Sequence, residues 1–181
     1  DVAQKRKDWN GLISGFKASD LVFLDESGCN TDMTRRYAYS LGGSRVVDSA
    51  PLSKPKNTTI LSSIQLDGTL RYTTFSGGTT VERFKRYLET DLLPHLNGNS
   101  VLIMDNMKSH HPKAVKNLLD SSEIRYIYLP PYSPDLNPIE KLWSKVKAFL
   151  RKFKARTLDA LPNAIQNAFH AVTVSDCSGW F

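Results

Sequence analysis

Cysteine is scarce in this sequence, with Cys29 and Cys177 the only two among 181 residues. Two cysteines build no disulfide framework, and their separation suits no zinc site, so a reduced intracellular setting is expected. No apolar run approaches the ~20 residues that a membrane-crossing helix needs. No internal repeat or low-complexity tract is present. One stretch has no acid at all: residues 141–156 hold Lys141, Lys145, Lys147, Arg151, Lys152, Lys154 and Arg156. Over the whole chain 24 basic residues face 18 acidic ones, a net charge of +6. Such a basic run attracts a polyanion, most often nucleic acid, although a solvated helix face would look the same. Hydrophobic residues make up 40 % and charged residues 23 %, the composition of a chain that folds. The length suits one domain with its own core.

Apolar runs and periodicity give an order of elements. Residues 1–19 read as a short polar helix or an incoming linker. Leu21 to Leu24 is a buried strand ending in Asp25. Residues 28–57 are rich in Gly, Ser, Pro and Asn and read as a long loop. Thr58–Leu66 and Thr69–Phe75 are β-rich runs joined by Asp67-Gly68, a strong hairpin signal. Thr79 and Glu82 have the spacing of a capping box, and Val81, Phe84, Tyr87 and Leu88 follow at helical spacing. Val101 to Met104 repeats the first pattern, an apolar run ending in Asp105. A helix carrying Val115, Leu118 and Leu119 follows, then the strand Ile124–Leu129 and a stiff Pro-rich turn. Two helices close the order, one with Ile139, Leu142, Trp143, Val146 and Leu150 inward, the other spanning about Thr157 to Val172. A hairpin followed by alternating strands and helices implies an α/β chain, a mixed five-stranded sheet flanked by helices.

Three acids stand at special points of this order. Asp25 and Asp105 each end a buried strand, and Glu140 opens a helix. If the two strands are neighbours, both carboxylates emerge at one sheet edge, where sites of α/β folds gather. Three converging carboxylates repel one another unless a cation intervenes, and oxygen ligands suit Mg2+ or Mn2+. Each acid also has an ordinary reading. Asp25 fits a turn after a strand, and Asp105-Asn106 fits an Asx turn. Asn137-Pro138-Ile139-Glu140 matches an N-cap, a first-turn proline and a capping glutamate, which would aim Glu140 back at its own helix.

Leu129-Pro-Pro-Tyr-Ser-Pro-Asp-Leu-Asn-Pro-Ile-Glu-Lys-Leu-Trp143 closely resembles a signature of the mariner-superfamily transposases, including their bacterial insertion-sequence branch. Phe23-Leu-Asp-Glu-Ser27 and Met104-Asp-Asn106 with His110 resemble that family's first and second aspartate strands. Counting residues 106 to 139 gives 34 between Asp105 and Glu140, a spacing found in this superfamily's Asp-Asp-Glu triad. The resemblance runs from about Leu21 to Phe169.

It implies an RNase H-like catalytic domain over residues 21–175, with residues 1–20 leading in from a helix-turn-helix region that this sequence does not show. It implies Asp25, Asp105 and Glu140 as catalytic and metal-binding residues, holding two Mg2+ ions, with Mn2+ as a substitute. The implied activity is cleavage at transposon ends and strand transfer into target DNA, commonly at TA. The partners would be transposon-end and target DNA, with a homodimer in the DNA complex. The setting would be the cytoplasm or nucleoid of a bacterium, or the nucleus if the source is eukaryotic. A nuclease on the same fold and an inactive DNA-binding remnant are the competing readings. Lys141, Lys145, Lys147 and Arg151 are candidates for phosphate contacts, which position DNA without reading its sequence. Asn106 and His110 are candidates for orienting water or phosphate, while His110 and His111 also fit helix capping near Pro112. Trp143 lies on the apolar helix face and reads more readily as core than as a base-stacking platform. Residues 30–56, with Arg36-Tyr37 through Gly42-Gly43, match the region that clamps a partner subunit in relatives.

Overall fold

The computed structural model of the chain describes residues 2–35, 37–49, 55–107 and 110–181. Arg36 and residues 50–54, part of the clamp expectation for residues 30–56, lie outside them. Five strands form one sheet: β1 Leu21–Cys29, β2 Thr58–Gln65, β3 Leu70–Ser76, β4 Val101–Met104 and β5 Arg125–Tyr128. Their spatial order is β3-β2-β1-β4-β5. The first three strands pair antiparallel, and β4 and β5 run parallel to β1. This is the mixed sheet expected from the sequence. Among the described residues six α-helices accompany it: α1 Val2–Ile13, α2 Val81–Tyr87, α3 Lys113–Ser121, α4 Ile139–Phe153, α5 Leu161–His170 and α6 Val174–Trp180.

Strand alternation divides the core into two layers. Val22, Leu24, Leu102 and Met104 face α2 and α3, where they meet Phe84, Tyr87, Val115 and Leu119. Leu21, Phe23, Val101 and Ile103 face the other way, onto Ile139, Leu142, Trp143 and Val146 of α4, Ile165 of α5 and Cys177 of α6. Trp9 of α1 is buried in this second layer. Sequence parity along β1 therefore decides which helical layer each side chain meets.

The β2–β3 hairpin turns at Asp67-Gly68 as its composition requires. Gly68 has φ 88, a conformation open to glycine, and Asp67 Oδ1 accepts a hydrogen bond from Thr69 N at 2.8 Å.

Several bounds differ from the sequence reading. β1 does not stop at Asp25. It runs on to Cys29, because β2 continues to pair with it through Cys29–Thr58 after β4 has ended. The cap of α2 is Thr80, whose side chain accepts from Arg83 N, not Thr79. α5 starts at Leu161, with Pro162 in its first turn. α6 gave no apolar periodicity, and a capping box between Thr173 and Asp176 starts it. Among the described residues between Asn30 and Asn57, the one regular element is a single 3-10 turn, Leu41–Gly43.

Candidate active site

The β1–β4 register sets the site. Its last pair is Leu24 with Met104. One residue further along each strand stand Asp25 and Asp105, so two parallel strands deliver two carboxylates to one sheet edge. Glu140, in the first turn of α4, lines the same cleft of about 440 Å³. Asn106, Met107, Asn137 and the Leu129–Pro134 turn complete the lining.

Asp25 is 8 % exposed and points to the α4 layer. Its Oδ1 accepts from Glu26 N at 2.8 Å and its Oδ2 from Trp143 Nε1 at 3.0 Å. Both donors are neutral. Burial therefore wins and pushes the carboxyl up to about 7, with the nearby Asp105 charge adding to the shift. Trp143 is core, as its place on the apolar face indicated, and its indole N–H also fixes the orientation of this acid.

Asp105 is arranged differently. Its Oδ1 accepts from Met107 N at 3.0 Å, the Asx turn foreseen in the sequence, and lies 2.9 Å from His110 Nδ1. Burial raises its pKa, but the bonds to His110 and Met107 outweigh that, and the carboxyl sits below its ordinary value.

His110 is fully buried and stacks on Phe84, with ring centroids 4.2 Å apart. Its Nε2 meets Glu26 Oε1 at 3.1 Å. Burial alone would lower its pKa, but Asp105 and Glu26 together push it up to about 10. The ring is thus a cation that donates from both nitrogens. It is neither a helix cap nor an open water-orienting base, because its two nitrogens are spent on two acids. Glu26 was not visible as a site residue in the sequence. As the next residue after Asp25 it faces the opposite helical layer, and its partner lies 84 positions away.

Glu140 is exposed, and no side-chain cap hydrogen bond is made at the start of α4. Pro138 holds the cap position, and Asn137 Oδ1 is buried without a hydrogen-bond partner among the described residues. The capping-box alternative for Glu140 is therefore not what the chain adopts, and its carboxylate stays available to the cleft.

Asn106 donates from Nδ2 to Leu129 O at 2.6 Å, tying the end of β4 to the end of β5. The four basic candidates on α4 do not share one setting. Lys145 is ion-paired with Asp176. Lys147 and Arg151 line a separate depression with Gly28, Cys29 and Thr34. Lys141 is exposed beside Glu140. In the turn before α4, Tyr132 is 91 % exposed.

As for what can be held here, Glu26, Asp105 and His110 offer ligand atoms within 4.8 Å of one another. A protonated imidazole cannot ligate, and it already compensates these acids. The carboxylates that line the cleft are those of Asp25, Asp105 and Glu140, a hard donor set suited to Mg2+ or Mn2+.

Residues 20–162 match the family described as DDE superfamily endonuclease. Over 97 residues the chain is 29 % identical to the transposable element Tc1 transposase of Caenorhabditis elegans, covering 51 % of this chain and 36 % of that protein. It thus spans about a third of the length of that curated relative. Among solved structures, a Mos1 transposase paired-end complex with left transposon end has a TM-score of 0.82 at 18 % identity, covering 99 % of this chain and 57 % of that one. A Mos1 mariner paired-end complex with Mn has a TM-score of 0.80 at 18 % identity, covering 99 % and 56 %. The sheet and its helices have the RNase H-like fold of those catalytic domains. With the matched span enclosing Asp25, Asp105 and Glu140 in a single cleft, the chain belongs to the DDE superfamily endonuclease family.

Proposed function

We propose that this chain is the catalytic domain of a cut-and-paste DNA transposase, with Asp25, Asp105 and Glu140 holding divalent metal. The observation that carries the reading is the pairing of a buried carboxylate on β1, met by neutral donors, with a second just past the end of β4 and an exposed one on α4, all open to one cleft. Such a group is held near neutrality in pKa for want of a cation, and a divalent ion would supply one. The relatives named as transposases, and the Mos1 complexes with transposon-end DNA and with Mn, support the same activity, substrate and metal.

In this reading Asp25, Asp105 and Glu140 would hold two ions, Mg2+ or Mn2+, which would supply activation of a water or of a 3′ hydroxyl and neutralisation of the leaving oxygen. The protein supplies rigidity. Trp143 and the Glu26 amide fix the Asp25 carboxylate, and His110 and the Met107 amide fix Asp105 through Oδ1, which leaves Oδ2 to the cleft. Glu140 arrives on the first turn of a helix whose apolar face is locked against the sheet. Strand ends and a packed helix hold such a constellation to the narrow tolerance that in-line displacement needs. Lys141, Lys147 and Arg151 are available to the DNA backbone, with Lys145 after release from Asp176. A homodimer on paired ends, insertion at TA and a bacterial cytoplasmic or nucleoid setting belong to the same proposal.

The test is strand transfer. The protein, with whatever end-reading region precedes it, is given pre-cut transposon ends, Mg2+ and a target plasmid. Joined products at TA support the reading. Hydrolysis without joining replaces it with a nuclease on the same fold, and DNA binding without metal-dependent cleavage replaces it with an inactive remnant.

A further inference from the structure

Helix α1 does more than lead into the domain. Trp9 is packed in the same apolar cluster as Leu129 and Ile139, the residues that bracket the Pro-rich turn between β5 and α4. Arg6, nearly one helical turn before Trp9 and on the same side of α1, reaches the middle of that turn. Its Nη1 donates to Ser133 Oγ at 2.8 Å and to Asp135 Oδ1 at 3.0 Å, and its Nη2 donates to Asp135 Oδ2 at 2.5 Å. This is the two-pronged geometry in which a guanidinium fixes direction as well as distance, which an ammonium cannot reproduce.

The turn has reason to need an external hold. Pro130, Pro131 and Pro134 offer no N–H, so few internal hydrogen bonds are open to it. Those it makes are short-range: Ser133 Oγ to Pro131 O, Leu136 N to Ser133 O and Asn137 N to Pro134 O. Tyr132 sits at φ 56, a left-handed conformation that an aromatic residue adopts only when its surroundings impose it. Asn106 secures the start of the turn at Leu129, and Ile139 buries its end. Between those two points Arg6 is, among the described residues, the side chain from outside that bonds to it.

We propose that Arg6 is a positioning residue. By gripping Ser133 and Asp135 it fixes the wall of the cleft that ends at Glu140, and so sets the approach of that carboxylate to Asp25 and Asp105. The inference rests on the reading of those three acids as a metal site. Its brace component can be judged without metal or activity.

The experiment compares the wild-type chain with Arg6→Ala, Arg6→Lys, Asp135→Ala and the double Arg6→Ala/Asp135→Ala variant. Lys7→Ala, on the same helix, is the charge control. Hydrogen exchange reads the Leu136 and Asn137 amides, and calorimetry reads Mn2+ affinity. Arg6→Ala is expected to speed exchange of those amides roughly fivefold and to weaken Mn2+ by a similar factor. Arg6→Lys should recover part of each effect, Lys7→Ala should change neither, and the double variant should match the worse single. Unchanged exchange in the turn overturns the brace. Faster exchange with unchanged Mn2+ affinity overturns the link to Glu140. Additive effects in the double variant overturn the pairing. Failure of the wild type to bind Mn2+ overturns the metal reading, while exchange still decides the brace. Acceleration spread over all of α1 and β5 marks loss of helix docking and also counts against it.

Discussion

Asp25 and Glu26 are adjacent on β1, both acidic and both largely shielded from water, yet they end in opposite circumstances. Asp25 faces α4 and receives only neutral donors, Trp143 Nε1 and the Glu26 amide. Glu26 faces α2 and α3 and meets the cationic ring of His110. The pleat of one strand thus separates an acid whose charge is left open from an acid whose charge is answered within the fold. A carboxylate paired inside the fold supports structure, and one left unpaired in a cleft is available to an added cation. Asp105 joins the two: one oxygen is held by His110, the other remains for the cleft.

The largest effect that would break this contrast lies on the open side. Asp25→Asn, Asp105→Asn and Glu140→Gln are each expected to lower metal-dependent DNA cleavage at least ~1,000-fold while circular dichroism stays native. Near-normal cleavage by any one of them removes that residue from the site. On the answered side the effect should appear in stability. His110→Ala leaves Glu26 buried without its cation, and chemical denaturation should show a loss of about 3–5 kcal/mol. Glu26→Gln paired with His110→Gln should recover much of that loss.

Asp25 and His110 also govern how stability follows pH in metal-free protein. Folded Asp25 keeps its proton up to about 7 against an ordinary value of 3.8, so the unfolded chain ionises first. Stability therefore falls as pH rises between those values, by on the order of 2–4 kcal/mol in all. His110 holds its proton up to about 10 against an ordinary 6.5, so its contribution is complete below 6.5 and is lost as pH climbs through 10. Thermal melts across pH 4–10 should decline through both windows. Saturating Mg2+ should flatten the lower window and leave the upper one, and a Mg2+ response confined to the upper window would reverse the assignment of the open and answered acids. The smallest effect is expected from Trp143→Phe, which removes one neutral donor from Asp25. It should cost about 1 kcal/mol of stability and about tenfold in cleavage, with Mn2+ affinity falling in step.

Much of this is legible in the sequence alone. An apolar run capped by an acid, occurring twice, located Asp25 and Asp105, and the hairpin at Asp67-Gly68 followed from turn chemistry. The helix beginning near Glu140 was readable too, but the direction of its carboxylate was not, because a capping glutamate and a free one share the same sequence. Asn137 Oδ1 without a partner separates them. The Glu26–His110 pair was hidden for another reason. It joins a strand to a loop residue with no periodic pattern, and the sequence records no distance between them. The indole bond from Trp143 was hidden inside a correct core assignment, since an apolar stripe says nothing of where one N–H points. α1 looked like a polar lead-in because Trp9 is its one buried residue, with Ile13 partly buried and Arg6 bonded to the turn, too few apolar residues to make a stripe.

The pleat that parts Asp25 from Glu26 makes the site sensitive to chain length in a way that point substitution does not reveal. Removing one residue between Leu21 and Leu24 while β4 keeps its place would rotate every later side chain of β1 to the other sheet face. Glu26 would then enter the cleft one methylene too long, Asp25 would fall back into the buried apolar place of Leu24, and Ser27 would stand before the imidazolium. Only one apolar residue would be lost, yet the cleft would receive the wrong acid and His110 would lose its own, so frame along this strand constrains the site as firmly as the identity of its acids.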